Sequence, residues 1–146
     1  MSGAPEAVRL AGVEADAALA DLTEISSQIE TAAVFRTDGS TLASTFADEA
    51  LAERLVTAAR ELLDVAAAAP GGAARTLTQL EVALREGSVF VVRDGELAVA
   101  ATTSASPTAG LVLYDLRTCL RSLAPAPAEE SPAPRRRRTK KSTADA

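Results

Sequence analysis

The sequence has no histidine, no tryptophan, a single cysteine (Cys119) and only 3% aromatic residues. Without imidazole there is no His-based catalytic dyad, and one thiol cannot assemble the usual zinc, iron or copper site. A lone Cys119 forms no internal disulfide, which fits a reducing compartment. No basic-then-apolar run opens the chain, and no apolar stretch reaches the roughly 18 residues of a membrane span. The chain therefore reads as soluble and cytoplasmic, with no integral membrane segment.

What is present is aliphatic and small. At 146 residues with 47% apolar content, the length suits one domain with a tail, and alanine dominates the core-forming residues. The formal charge of −5 is unevenly spread. From Ala124 onward, Arg135, Arg136, Arg137, Arg138, Lys140 and Lys141 oppose Glu129, Glu130 and Asp145, a net +3 that leaves −8 for the body. An acidic body binds nucleic acid or anionic membranes poorly; any such affinity lies in the tail.

The stretch Asp48–Ala69, DEALAERLVTAARELLDVAAAA, organises the rest. It is built from good helix formers, opens on acidic residues and has no internal Gly or Pro. At about 100° per residue, Glu53, Arg54, Thr57, Arg60, Glu61 and Asp64 gather on an arc of roughly 120°. The apolar arc opposite spans roughly 200°, wider than the ~100° stripe needed to cover one sheet. One part for its own sheet and another for a second helix implies a partner. A helix buried more deeply in a monomer is the alternative.

In chain order, residues 1–13 read as a loose arm, and a helix begins near Glu14 with Ala15, Ala18, Leu19, Leu22, Ile25 and Ile29 on one side. Strands Thr31–Thr37 and Ser40–Thr45 follow, joined by Asp38-Gly39, a hairpin signal in which both turn positions need positive φ. Pro70-Gly71-Gly72 stops the central helix. Then comes a meander of Thr76–Arg85, Ser88–Arg93 and Glu96–Thr103, with Glu86-Gly87 and Asp94-Gly95 as two-residue turns that set Arg93 opposite Glu96. Leu80, Val82 and Leu84 then share a face with Val89, Val91, Ala98 and Ala100. Phe90, Val92, Leu97 and Val99 share the other, so helices must cover both faces. Gln79 and Glu81 make the first meander strand look like an edge. Ser106 and Pro107 are the expected N-cap and first residue of the last helix, whose apolar face is Ala109, Val112, Leu113, Leu116, Cys119, Leu120 and Leu123. Leu111 and Tyr114 lie off that face. The Pro/Ala-rich, charged segment 124–146 has nothing to bury and is expected to be disordered.

The order is helix–strand–strand–helix–strand–strand–strand–helix: a single α+β domain over 14–123 with a five-stranded antiparallel sheet between helical layers, a layout shared in part with longin and profilin-like domains. With AAVFRTDGSTLAS, the central helix, and TQLEVALREGSVFVVRDGELAVAATTS before a Leu-rich helix, the chain resembles the roadblock family over about Ala15–Leu123. That family includes dynein roadblock light chains and bacterial regulators of Ras-like GTPases. The resemblance implies a homodimer built on the central helix and the strand Thr76–Arg85, joining two sheets into one. Ala52, Val56, Ala59, Leu63, Gln79 and Glu81 are the residues expected there. It also implies a small Ras-like GTPase as partner, expected at Arg54, Thr57, Arg60 and Glu61 of the outward polar arc, or at Leu111 and Tyr114. The alanine-rich body and the basic tail depart from the family pattern.

Chemistry of its own is sparse. Ser26 and Ser27 lack a His partner, no acidic pair stands out for acid–base work, and both Asp-Gly pairs lack the glycine-rich or ligand spacing of phosphate and metal loops. The expectation is a non-catalytic module without cofactor that modulates the nucleotide cycle of a GTPase. The alternative is an adaptor tethered to nucleic acid or anionic membrane by a weak polyanion contact of the tail. The tail as a mere solubility aid, and Arg136-Arg137-Arg138-Thr139 as a basic-directed kinase site, stand beside it.

Overall fold

The computed structural model describes residues 3–72 and 76–123, with side chains from residue 11 onward. Its elements are α1 (Gly3–Ile25), β1 (Ile29–Arg36), β2 (Thr41–Ser44), α2 (Glu49–Ala68), β3 (Leu77–Ala83), β4 (Gly87–Asp94), β5 (Leu97–Ser104) and α3 (Ala109–Arg121). The five strands form one antiparallel sheet in the order β2-β1-β5-β4-β3. The expected α+β architecture is therefore present, and β3 is an edge.

The meander pattern governs the layers. Val34, Phe90, Val92, Val99 and Ala101 face α1 and α3, while Ala33, Phe35, Val91, Ala98 and Ala100 face α2, all without solvent exposure. Two helices thus cover one face and a single helix covers the other. Five strands at about 4.8 Å spacing span roughly 19 Å, whereas one helix with its side chains is only about 10–12 Å wide. α2 leaves both flanks of its face open.

α2 has the expected boundaries. The Asp48 carboxylate accepts a 2.9 Å hydrogen bond from the Ala50 N–H and caps its N-terminus, and the helix ends just ahead of Pro70. α1 is longer than expected. It is helical from Gly3 rather than from Glu14, because alanine and other helix formers fill that stretch and Pro5 falls in the first turn, where an amide proton is not needed. α1 stops at Ile25, which is exposed, and Ile29 is not part of its face but opens β1 and is buried.

The turns differ in detail from expectation. At Asp38-Gly39 only Gly39 has positive φ, at 105°. Gly39 N–H donates to the Arg36 carbonyl and Arg36 N–H to the Ser40 carbonyl, a three-residue loop with a bulge in place of a two-residue turn. Asp38 instead accepts from the Ser40 N–H at 2.9 Å and the Ser40 hydroxyl at 2.7 Å.

Both meander turns are slipped by two residues. Arg93 pairs with Ala98 and Asp94 with Leu97, so Gly95-Glu96 is the loop, with its one positive φ at Gly95. A positive φ is cheap at glycine and costly at Asp94, so the chain places the glycine first. Arg93 therefore stands opposite Ala98 rather than Glu96, and its guanidinium donates to the Thr78 hydroxyl at 2.9 Å. Between β3 and β4, Ala83 pairs with Ser88. Gly87 sits in the strand, where a β-carbon would collide with the Thr103 carbonyl of β5. A slip of two leaves every side chain on its original face, so the layers form as expected.

The last helix starts later than expected. Thr108, not Ser106, is the N-cap residue, and Ser106 takes the left-handed conformation at φ 59° where the chain reverses after β5. The side-chain oxygen of Gln28 accepts the Thr108 N–H at 2.7 Å, tying this reversal to the α1–β1 connection.

Candidate interaction surfaces around the single-helix face

Ala52, Val56, Ala59 and Leu63, expected at a dimer interface, are buried against Phe35, Val91, Ala98 and Ala100 of the chain's own sheet. They are core residues and cannot also be an exposed surface. Gln79 and Glu81 are exposed, but on the opposite face of β3. There the Gln79 amide oxygen accepts a 2.8 Å hydrogen bond from Arg117 of α3.

The apolar surface that α2 leaves open is a different stripe. Leu51, Ala58 and Val65 recur at intervals of seven on one edge of the arc and are exposed, with Leu62 half-buried beside them. The opposite edge of the helix overlooks β2, so this stripe flanks β3. On the matching face of β3, Leu80 and Val82 are only half-buried, and Leu84 just beyond the strand is exposed. Helix and edge strand together present one apolar strip.

The two edges of the sheet are unequal. β2 has four residues and its pairing with β1 is interrupted between Val34 and Phe35. β3 has seven residues in unbroken register. A short, kinked edge resists pairing with another chain; a long regular edge beside apolar side chains invites it.

The β2 flank of α2 is polar. A cavity of about 490 Å³ opens between them, lined by Thr41, Ser44, Glu49, Glu53, Thr57 and Arg60 among others. Arg60 Nε donates to the Thr37 carbonyl at 3.2 Å, so this residue of the expected partner surface also holds the β1–β2 turn against α2. The Asp38 carboxyl lies below the usual carboxylate range because Ser40 donates to it from backbone and side chain, with smaller contributions from Arg36 and Arg60. Arg54, Thr57 and Glu61 are exposed on the outer face of α2, and Leu111 and Tyr114 are exposed on α3, across the sheet from it. These two groups do not form one surface in a single chain.

Among the described residues no three Cys, Asp or Glu side chains converge to hold a metal ion. Burial, aided by Asp21, pushes the Cys119 thiol up to about 11, so it is protonated and unreactive at neutral pH. No helix of the described residues is long and apolar enough to cross a membrane. Arg135, Arg136, Arg137, Arg138, Lys140 and Lys141, with Thr139, lie outside the described residues.

No protein-family model and no curated protein matches the sequence. Solved structures do. A Roadblock/LC7 domain from Streptomyces avermitilis superimposes with a TM-score of 0.65 at 18% identity, over 74% of this chain and 92% of that one. A second Roadblock/LC7 domain structure from the same organism gives 0.57 at 18% identity, over 73% and 94%. Myxococcus xanthus MglB gives 0.61 at 12% identity, over 77% and 86%. The chain has the roadblock/LC7 fold.

Proposed function

We propose that this chain is a non-catalytic regulatory module that works as a homodimer and binds a small Ras-like GTPase, modulating its nucleotide cycle. The observation that carries the dimer is the apolar strip of Leu51, Ala58, Leu62 and Val65 beside the unpaired edge of β3. A two-fold axis along that edge pairs β3 with its copy, buries both strips and continues the sheet through the dimer. The GTPase is supported by the fold, whose family includes regulators of such enzymes, and by the shortage of catalytic groups on the chain itself. A regulator of this kind acts by selecting one arrangement of the switch loops, which requires contact surface rather than a nucleophile or base.

In the dimer the outer faces of two α2 helices lie near one another. Arg54, Thr57 and Glu61 are thereby doubled, toward the roughly 800 Å² per partner of a specific interface. The test is capture of a GTPase by the full chain from extracts loaded with a GTP analogue or with GDP, repeated with Arg54→Glu/Glu61→Arg. Arg60 is left intact because it holds a turn. Nucleotide-dependent capture that the double variant loses while remaining dimeric supports the reading. Capture indifferent to nucleotide, or unchanged in a dimeric variant, overturns the contact.

A further inference from the structure

On the two-helix face, α1 and α3 enclose a groove of about 340 Å³ lined by Asp21, Leu22 and Ile25 from one helix and Tyr114, Asp115 and Thr118 from the other. Its two acidic residues, Asp21 and Asp115, are carboxylates, and no basic side chain lines it among the described residues. Asp115 is only 8% exposed, an acid held inside a mostly apolar wall. Ile25 and Tyr114 are the opposite case, apolar groups left 69% and 54% exposed at the rim. Such a groove suits a ligand with cationic heads on aliphatic stems, that is, arginine and lysine side chains.

The α1 side of the groove has the same sign, whereas α3 carries Arg117 and Arg121. From Ala11 to Ile25, α1 shows Glu14, Asp16, Asp21 and Glu24 to solvent and has no basic residue. α2 by contrast intersperses Arg54 and Arg60 among its acids. Tyr114 also offers a ring for cations: the Arg117 guanidinium already lies 6.0 Å from its centroid.

We propose that this groove is the seat of the chain's own basic run, Arg135–Arg138 with Lys140 and Lys141, folded back from the end of α3. Ser122, the last groove residue, stands immediately before the point where the chain continues into 124–146. About a dozen residues separate Leu123 from Arg135, a reach of up to roughly 40 Å, enough to return along the groove and the acidic side of α1. Tethering supplies the run at high local concentration, so weak charge contacts suffice. Docking also withholds the run from polyanions, which makes the tail's contact with them a competition rather than a standing affinity. The inference is independent of GTPase binding and of the dimer.

The test is amide NMR of the full chain, wild type against Arg135, Arg136, Arg137 and Arg138→Ser, at about 50 mM and about 500 mM salt, conditions that bracket strong and weak screening. Neither these substitutions nor Asp21→Asn touches the core. The expected result is low-salt shift differences concentrated on Asp21, Ile25, Tyr114 and Thr118, independent of protein concentration. They vanish at high salt and are at least halved by Asp21→Asn. Superimposable low-salt spectra overturn the proposal. So do shifts spread equally over α2, or shifts that grow with protein concentration.

Discussion

Val65→Glu separates the dimer from the monomer fold. Val65 is 70% exposed in the single chain, so its substitution removes almost nothing from the core. Burying a valine completely contributes roughly 1.5–3 kcal/mol, so covering its open part in a dimer contributes roughly 1–2 kcal/mol per copy. A two-fold interface uses the residue twice, giving roughly 2–4 kcal/mol before the cost of desolvating a glutamate is added. At tenfold per 1.4 kcal/mol, the dissociation constant rises by roughly 30- to 700-fold. Within the monomer, glutamate is nearly as good a helix former as any residue, and an exposed substitution changes stability by about 0.5 kcal/mol or less. Sedimentation velocity over about 1–100 µM, where weak dimers dissociate, should show a dimeric wild type and a monomeric variant with the same melting temperature. A wild type that sediments as a monomer throughout, or a variant that dimerises as tightly, refutes the reasoning.

Ala59→Arg should behave in the opposite way. Ala59 is fully buried against the sheet, so a long charged side chain there overpacks and desolvates, and the melting temperature should fall sharply whatever the oligomeric state. Asp48→Ala removes the α2 cap and should cost about 0.5–2 kcal/mol in denaturant unfolding, with dimerisation retained. Asp38 has a folded-state pKa below its unfolded value, so the stability it contributes is fully present above the ordinary carboxylate value of 3.8 and is lost as pH falls through the lower folded value. Unfolding compared at pH 6 and pH 3 should therefore lose less in Asp38→Asn than in wild type, and equal losses would show that the Ser40 contacts contribute nothing.

Strand alternation and the start of α2 were legible in the sequence because they are local. Phe90, Val92 and Val99 against Val91, Ala98 and Ala100 can be sorted by parity alone, and Asp48 followed by an uninterrupted run of helix formers marks the start of α2. Parity does not distinguish registers that differ by two, so Arg93 opposite Glu96 and Arg93 opposite Ala98 fit it equally, and the preference for glycine at a positive φ decides for the second. The α2 surface was illegible for a related reason. A 200° apolar arc announces more than one contact, but nothing in the helix says which edge its own sheet claims. The sheet took Ala52, Val56, Ala59 and Leu63, and the Leu51–Ala58–Val65 edge was left over. The groove carboxylates Asp21 and Asp115 lie far apart in the chain and meet only once α1 and α3 pack side by side.

The pairing of β1 with β5 has a consequence for how the chain finds its fold. Every other strand contact joins sequence neighbours: β1 with β2, and β3, β4 and β5 in succession. Only the β1–β5 seam joins the two halves of the sheet, through residues at least about sixty positions apart, from Arg36 with Leu97 to Ile29 with Thr103. Each half can form its hairpins on its own, whereas the seam must close a long loop before it gains anything. The alanines of β5 at that seam, Ala98, Ala100 and Ala101, add little bulk to hold a premature encounter together. The seam is thus the strand pairing of this sheet with the largest loop-closure cost.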